Sequence, residues 1–269
     1  MKSISGRVNF VAIFPIALFA TVAFLLNACA GMSAISKPSV LSNERIAEII
    51  SSPDRSVADR GNDAQRKPDQ MLTFIGVRSG MVALDLSAGG GYTTELLSRA
   101  VGPTGRVYGQ SAPRGPSSPS RLTSPQALAE RAKNPLVANI IPVVRQFENP
   151  VPQEVAAGGL DLVTLIFNYH DLGHMGVDRS RMNSAVFAAL KSGGLYVIAD
   201  HSGRPGTGIS EAATLHRIEE DFLRKEVEDA GFKLVGQGNF WRNPSDLRDK
   251  NTPEKSQPKD GFVLKFVKP

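Results

Sequence analysis

Short apolar runs alternate with stretches of helical periodicity from residue 82 to the end of the chain. The apolar runs predict strands at 82–87, 105–110, 140–145, 161–167, 195–199, 232–236 and 261–267. Helical spacing of apolar residues predicts helices at 92–100, 125–133, 181–190 and 219–230. Strands that alternate with helices are typical of a doubly wound, mostly parallel sheet. The pattern therefore predicts an α/β, Rossmann-like fold.

The segment before the first predicted strand is more polar. Apolar spacing predicts helices at 41–50 and 68–75, separated by the polar and charged stretch 51–68. Such a stretch is usually solvated surface. Because it directly precedes the first strand, it can instead fold over a ligand-binding mouth and place Arg60 or Arg66 near a carboxylate. The sequence leaves both interpretations open.

The first thirty residues have the composition of an export signal. Lys2 and Arg7 precede an uncharged apolar stretch at 10–26, which small residues follow. This stretch approaches the ~20 residues that span a bilayer, so an uncleaved anchor is the alternative. We divide the chain into an export signal at 1–30, a tether with an N-terminal helix at 31–59, and a main domain at 60–269. The signal predicts an exported protein, located in the periplasm.

Cys29 is the only cysteine of the 269-residue chain, and it lies inside the predicted signal. Residues 26–29 resemble a bacterial lipobox, in which Cys29 would carry a lipid anchor to the membrane, although ordinary cleavage fits as well. One cysteine in this position leaves no disulfide and no thiol catalysis. The net charge of +5 comes without a dense Lys/Arg run among aromatic residues, which argues against a nucleic-acid partner.

The end of the first strand is the most informative motif. Residues 84–86 form an apolar–acidic–apolar triplet, and three consecutive glycines follow at 89–91. Glycine lets the backbone approach a ligand where a side chain would collide. The run resembles motif I of class I S-adenosylmethionine-dependent methyltransferases, with Ser87 at the first glycine. The dinucleotide pattern G-x-G-x-x-G would place Thr94 at a glycine and fits less well. A glycine-rich turn without a ligand is the alternative.

The resemblance extends beyond this motif. Residues 190–194 resemble the L-K-P-G-G turn of these enzymes, and residues 231–232 resemble their glycine–phenylalanine turn. A combination of short segments is similar to an exported bacterial group of predicted methyltransferases: 169–171, 178–179, 182–183, 200–201 and 215–218. The resemblance implies a class I fold with a seven-stranded sheet, S-adenosylmethionine as cofactor, and a small-molecule acceptor with a reactive oxygen or nitrogen.

The same resemblance implies cofactor-binding residues at the ends of the first four strands. They are Asp85, Ser87, Gly89, Gly91, Gln110, Ser111, Phe147 and Asn168. Asp85 is expected near the ammonium group of the cofactor, and the glycine turn along its methionine part. Gln110 and Ser111 stand where the family has a ribose-binding acid, and a neutral hydrogen bond is weaker by about 1 kcal/mol. Phe147 fits an adenine contact or the core.

Histidines and carboxylates follow the fourth and fifth strands. The candidate catalytic residues are His170, Asp171, Asp200 and His201. A histidine with a carboxylate suits proton removal from an oxygen or nitrogen nucleophile at neutral pH. We expect His170 to be the base and Asp171 or Asp200 to orient an imidazole. Residues 216–217 are interpreted as a lid or a supporting element.

Two other functions remain open. His170, Asp171, His174 and His201 could bind zinc or iron, although Gly173 and Gly176 argue against the helix that would align them. The favoured interpretation contains no metal. A non-catalytic protein that binds a nucleoside-like ligand is the other alternative. It is supported by the uncharged ribose position and by the cytoplasmic origin of S-adenosylmethionine.

Overall fold

The computed structural model describes residues 1–4, 6–7, 9, 40–113, 122–254 and 259–269. The chain divides into a unit Met1–Ser36 and a larger unit Lys37–Pro269. Most of the predicted export signal, Cys29 and nearly all of the tether lie outside the described residues. Within the described part of the chain, no helix is long and apolar enough to cross a membrane.

One seven-stranded sheet organises the larger unit. Its strands are β1 (Val82–Leu86), β2 (Arg106–Ser111), β3 (Ile140–Val144), β4 (Leu160–Ile166), β5 (Leu190–His201), β6 (Lys233–Gly238) and β7 (Gly261–Val267). The strand order is β3-β2-β1-β4-β5-β7-β6. β7 is antiparallel to β5 and β6, whereas the other pairs are parallel. The predicted Rossmann-like, mostly parallel sheet is confirmed.

The α-helices of the described residues lie between and before the strands. They are α1 (Asn43–Ser51), α2 (Val57–Arg66), α3 (Pro68–Ile75), α4 (Tyr92–Val101), α5 (Ser124–Arg131), α6 (Tyr169–His174), α7 (Arg179–Ala189), α8 (Ala212–Leu215) and α9 (Glu220–Asp229). The strand order reverses between β1 and β4. In open α/β sheets, ligands bind outside the carboxyl ends of the strands at such a switch point.

Two apolar layers cover the sheet because side chains alternate between its faces along each strand. Leu84 and Leu86 of β1 belong to the layer formed with α7 and α9. Ala83, between them, belongs to the opposite layer, formed with α1, α3 and α4. Asp85 alternates with Leu84 and Leu86, so it projects on the α4 side, where its carboxylate bonds to Thr94 of α4.

Helix α2 was not among the predicted elements, because residues 51–68 read as a charged stretch. Ser56 begins it as an N-cap whose side chain accepts a hydrogen bond from the backbone N–H of Asp59. A serine followed three residues later by an acid is a helix-start signal, and it was present in the sequence. This helix carries Arg66 toward the sheet.

The expectation that Gly173 and Gly176 disfavour a helix after β4 was wrong, because α6 spans Tyr169–His174. Gly173 lies inside it, where an added Cβ would come within 2.5 Å of Ile209. The missing side chain at Gly173 therefore lets the loop that carries Ile209 pack against the helix, and the glycine does not break the helix. Gly176 follows the helix with a φ of 70°.

The predicted glycine turn at 190–194 belongs to strand β5, which begins at Leu190. The register against β4 shifts between the pairs of Leu160 and Leu162, so the segment is an irregularity within the strand. Gly193, with a φ of 77°, absorbs that irregularity.

Candidate functional site

The turn between β1 and α4 lines a cavity of about 340 Å³ at the switch point. Ser87, Gly89 and Gly91 have φ values of 54°, 58° and 90°, in the left-handed region. Gly91 donates a backbone hydrogen bond to Ala88 at 2.9 Å, which closes the turn. Residues 89–91 therefore present backbone rather than side chains at this edge of the sheet.

The two outer glycines of the turn have different surroundings. A Cβ added at Gly89 would find only the carbonyl oxygen of Ser87, 4.0 Å away. A Cβ added at Gly91 would lie 2.7 Å from Leu128 and 2.9 Å from Arg131, both on α5. Gly91 is therefore needed for helix packing, whereas Gly89 keeps space open in the cavity.

Asp85 lies beside this cavity with only 2% of its surface exposed. Its two carboxylate oxygens accept hydrogen bonds from Thr94 at 2.6 Å and from Thr164 at 2.8 Å. Burial raises the pKa of Asp85 to about 6, although these hydroxyls and the positive charge of Arg66 oppose the shift. The carboxylate holds β1, β4 and α4 together and borders the space where a cationic group would be stabilised.

A chain of polar contacts connects the other residues expected around the cofactor. The backbone N–H of Ser87 donates to the side-chain oxygen of Gln110 at 3.0 Å, and the hydroxyl of Ser87 donates to Asn168. The Gln110 amide nitrogen donates to the carbonyl oxygen of Arg145 at 2.7 Å. The side chain of Gln110 therefore links the turn after β1 to the segment after β3.

The structure does not bring every expected cofactor residue to the cavity. Asp85, Ser87, Gly89 and Asn168 line it, but Gly91, Gln110, Ser111 and Phe147 do not. Phe147 packs in the apolar core. The Ser111 hydroxyl is buried and has no hydrogen-bond partner among the described residues. The cofactor-binding roles predicted for all eight residues stay predictions.

His170 sits between two carboxylates. Its Nδ1 lies 2.6 Å from Asp200 and its Nε2 lies 3.2 Å from Asp171. Burial by itself lowers the pKa of His170, but the two carboxylates outweigh burial and raise this pKa to about 10. Both ring nitrogens then donate hydrogen bonds at neutral pH. In this state His170 is a charged donor and does not have the free nitrogen that the expected base requires.

His201 has the opposite environment. Neither of its ring nitrogens has a hydrogen-bond partner among the described residues, and its Nδ1 is buried. Burial lowers the pKa of His201 to about 4, so the imidazole is neutral at pH 7. The ring stacks on Phe167 with 4.8 Å between centroids. His201 is therefore a neutral imidazole with unpaired ring nitrogens, although the burial that keeps it neutral also opposes its protonation.

A second cavity, of about 460 Å³, opens beside the first. His170, Asp171, His201 and His216 contribute to its wall, and Arg66 and Phe167 line both cavities. His216 was assigned only to a lid or supporting element in the sequence. His216 and Asp171 are 45 residues apart in the chain, so no local sequence pattern indicates their contact.

Arg66 stands at the junction of the two cavities. Its guanidinium lies 5.7 Å from the ring centroid of Tyr92 and 5.3 Å from that of Phe167. Among the described residues it makes no ion pair with a carboxylate. Arg60, the other arginine considered from the sequence, donates instead to the backbone carbonyls of Pro53 and Arg55, in the loop before α2. Arg66 is thus a partly buried cation with free donors beside the glycine turn.

The sheet order, the switch point and the glycine turn define the fold of class I S-adenosylmethionine-dependent methyltransferases. A SAM-dependent methyltransferase from Aquifex aeolicus is similar, with a TM-score of 0.56, 16% identity, and 84% of this chain and 98% of that chain covered. A chain from the complex of the Haloferax volcanii Trm112 methyltransferase activator with a putative methyltransferase is also similar. It has a TM-score of 0.55 and 16% identity, and 85% of this chain and 99% of that chain are covered.

A [4+2]-cyclase also shares this fold, with a TM-score of 0.54, 14% identity, and 79% of this chain and 82% of that chain covered. No protein-family model matches the sequence, and no curated protein does. The fold is thus established by structural similarity, while the reaction must be argued from the site itself.

Proposed function

We propose that this protein is an S-adenosylmethionine-dependent methyltransferase that acts on an oxygen or nitrogen atom of a small molecule. The observation that carries the proposal is the pair of adjoining cavities. One is walled by the bare glycine turn, the other by an imidazole without a hydrogen-bond partner, and they meet at Arg66 and Phe167. Methyl transfer requires a donor and an acceptor side by side, in line with each other.

The residues of the first cavity fit the methionine part of the cofactor. Gly89 leaves open the space that a Cβ would fill. Arg66 offers free donors for a carboxylate, and Asp85 offers negative charge for an ammonium group. When bound, the cofactor supplies an electrophilic methyl group on a sulfonium. The protein's part is to hold that group toward the second cavity and to exclude water.

His201 is the base in this proposal. Transfer forms an O–CH₃ or N–CH₃ bond, breaks the S–CH₃ bond, and releases one proton from the acceptor. His201 takes up that proton on a free ring nitrogen. His170, fixed by Asp200 at 2.6 Å, faces the same cavity and serves as a positioning residue for the acceptor.

The test combines binding and turnover. Isothermal titration of the mature protein with S-adenosylhomocysteine measures the cofactor site, and transfer of a labelled methyl group to fractions of a small-molecule extract measures the reaction. We expect His201→Gln to bind the cofactor product normally and to lower turnover at least ~10²-fold, the usual contribution of a general base. Unchanged turnover in this variant would exclude His201 as the base.

A non-catalytic, ligand-sensing role is the second candidate. The observation in its favour is Gln110, whose amide is engaged by the Ser87 N–H and the Arg145 carbonyl, so that β2 ends without a ribose-binding acid. Binding of S-adenosylhomocysteine without turnover on any extract fraction would favour this role over the enzyme.

We further propose that the acceptor lies in the cell envelope. The supporting observation is the signal-like composition of residues 1–30, with Cys29 as a candidate lipid attachment site. Fractionation of cells after labelling with a radioactive fatty acid tests it. A labelled membrane form that Cys29→Ser converts to a soluble periplasmic one is expected, and recovery of the full-length chain in the cytoplasm would contradict export.

A further inference from the structure

Three of the four histidines of the chain lie close to one carboxylate, that of Asp171. The Oδ1 atom of Asp171 lies 3.0 Å from Nδ1 of His216, 3.2 Å from Nε2 of His170 and 3.9 Å from Nδ1 of His174. The ring centroids of His170 and His216 are 5.5 Å apart, and His201 stands behind His170 at 6.1 Å. Three imidazoles thus converge on one oxygen atom.

The spacing of three of these groups fits a metal ion. One ligand atom each from His170, Asp171 and His216 lies within 4.8 Å of the other two. Tetrahedral zinc, with bonds of about 2.0–2.2 Å to nitrogen and oxygen, needs ligand atoms roughly 3.3 Å apart. The two distances to Asp171, 3.2 and 3.0 Å, are close to that value.

Outer hydrogen bonds already hold two of the three groups in place. Asp200 accepts from Nδ1 of His170 at 2.6 Å and from its backbone N–H at 2.8 Å, which leaves Nε2 directed at Asp171. Asn168 donates to Oδ2 of Asp171 at 2.7 Å, which leaves Oδ1 for the histidines. A carboxylate behind a histidine and a hydrogen bond behind a carboxylate are the usual supports of metal ligands.

The third group is held in a costly backbone conformation. His216 has a φ of 51°, in the left-handed region that side chains other than glycine rarely adopt. Such a residue costs of order 1–3 kcal/mol and persists where the surroundings fix it, commonly at a functional site. The conformation directs the imidazole of His216 at Asp171.

We propose that His170 Nε2, Asp171 Oδ1 and His216 Nδ1 bind one divalent transition-metal ion of the zinc class. Two imidazoles and a carboxylate, without a thiolate, favour zinc or ferrous iron over softer metals. The ion would replace the protons that the two histidines share with Asp171. His174 lies farther from Asp171, outside this ligand set.

The three ligands leave a coordination position toward the second cavity, whose wall they share with His201. An acceptor oxygen or nitrogen bound there would be polarised, and its proton would leave more readily. This role in the reaction rests on the proposed function, whereas metal binding by itself does not.

The test uses the mature protein without a polyhistidine tag, stripped of metal with a chelator. Titration with Co²⁺, a spectroscopic substitute for zinc, should give visible absorption that saturates at one ion per chain, and zinc should abolish it by competition. Absence of saturable Co²⁺ absorption in the wild-type protein overturns the proposal without reference to any variant.

Variants locate the ion. Asp171→Asn and His216→Ala should each weaken Co²⁺ binding at least ~10-fold, given that losing even an outer-shell partner costs 10–100-fold. His201→Ala, a histidine of the same cavity outside the ligand set, should bind Co²⁺ as the wild type does. Equal binding by Asp171→Asn and wild type places the ion elsewhere and contradicts the proposal. Titration of the same metal-free protein with S-adenosylhomocysteine tests the methyltransferase assignment separately.

Discussion

The central glycine of this account is Gly89, which faces open space, whereas Gly91 faces α5. We expect Gly89→Val to remove binding of S-adenosylhomocysteine, because its side chain fills the cavity. Melting should show only a modest loss of stability, of about 1–2 kcal/mol, from the left-handed backbone. Titration calorimetry and thermal unfolding measure the two effects.

Gly91→Ala is the matched comparison. Its Cβ would collide with Leu128 and Arg131, so we expect a larger loss of stability than at Gly89, accompanied by a shift of α5. If Gly89→Val binds the ligand normally, the glycine turn is not the cofactor site. If both variants melt alike, the difference in packing assigned to the two glycines is wrong.

Asp85 makes the stability of the fold depend on pH. Burial raises its pKa from an ordinary value of 3.8 to about 6, so the folded state binds a proton more tightly than the unfolded state. Stability therefore falls as pH rises from about 4 to about 6, by an amount on the order of 3 kcal/mol. Urea unfolding across that range measures it.

Asp85→Asn keeps the size of the side chain and its partners Thr94 and Thr164, but it removes the titration. The fall between pH 4 and 6 should be smaller in this variant than in the wild type. The positive charge of Arg66 on α2 lowers the pKa of Asp85. Replacing Arg66 by glutamine should therefore make the fall in stability between pH 4 and 6 larger. Identical pH profiles for wild type and Asp85→Asn would show that Asp85 is not the titrating group.

The sequence predicted Asp85 and the glycines correctly as residues of the switch point, because the apolar run and the turn are local signals. It could not predict that Gln110 turns inward to Ser87 and Arg145, since those contacts join segments 23 and 35 residues apart. The same limit applies to His216. The contact of His216 with Asp171 depends on the path of the loop after β5.

At the scale of elements, α2 determines how the glycine cavity is closed. It ends at Arg66, whose guanidinium stands between Tyr92 and Phe167. We expect Arg66→Gln to weaken binding of S-adenosylhomocysteine by about 10-fold or more, the loss of a charge-assisted hydrogen bond of roughly 1.5–3 kcal/mol. Calorimetric titration at constant salt measures it.

Arg60→Gln is the control on the same helix, because Arg60 bonds only to backbone carbonyls near the start of α2. Its affinity for S-adenosylhomocysteine should stay within about twofold of the wild type, since a distant surface charge is screened. Equal losses in both variants would mean that α2 acts through general charge or stability and not through a contact at Arg66.

Strands were easier to predict than helices in this chain, and the reason is physical. Buried parallel strands favour near-continuous apolar runs, which β1 and β4 display. Helix α2 has few apolar residues and is held by ion pairs such as Arg131 with Asp59, at 2.6 Å. Helix α6 is too short for a periodic pattern and contains Gly173, so its existence depends on tertiary packing.

At the scale of the whole molecule, the expected order of strands was the basis for predicting where the site lies. A glycine turn after the first strand and histidines after the fourth and fifth belong to the same edge once the sheet is doubly wound. The topology, with β1 beside β4 and β4 beside β5, confirms that reasoning. The partition of roles among the histidines followed from burial and pairing, which only the folded chain reveals.

The most direct test of the account is a crystal structure of the mature protein grown with S-adenosylhomocysteine. We predict ligand density along residues 87–91, with the carboxylate at Arg66, the amine toward Asp85, and the sulfur facing the cavity of His201. Density for the ligand away from the glycine turn, or protein side chains occupying that cavity at saturating ligand, would contradict it.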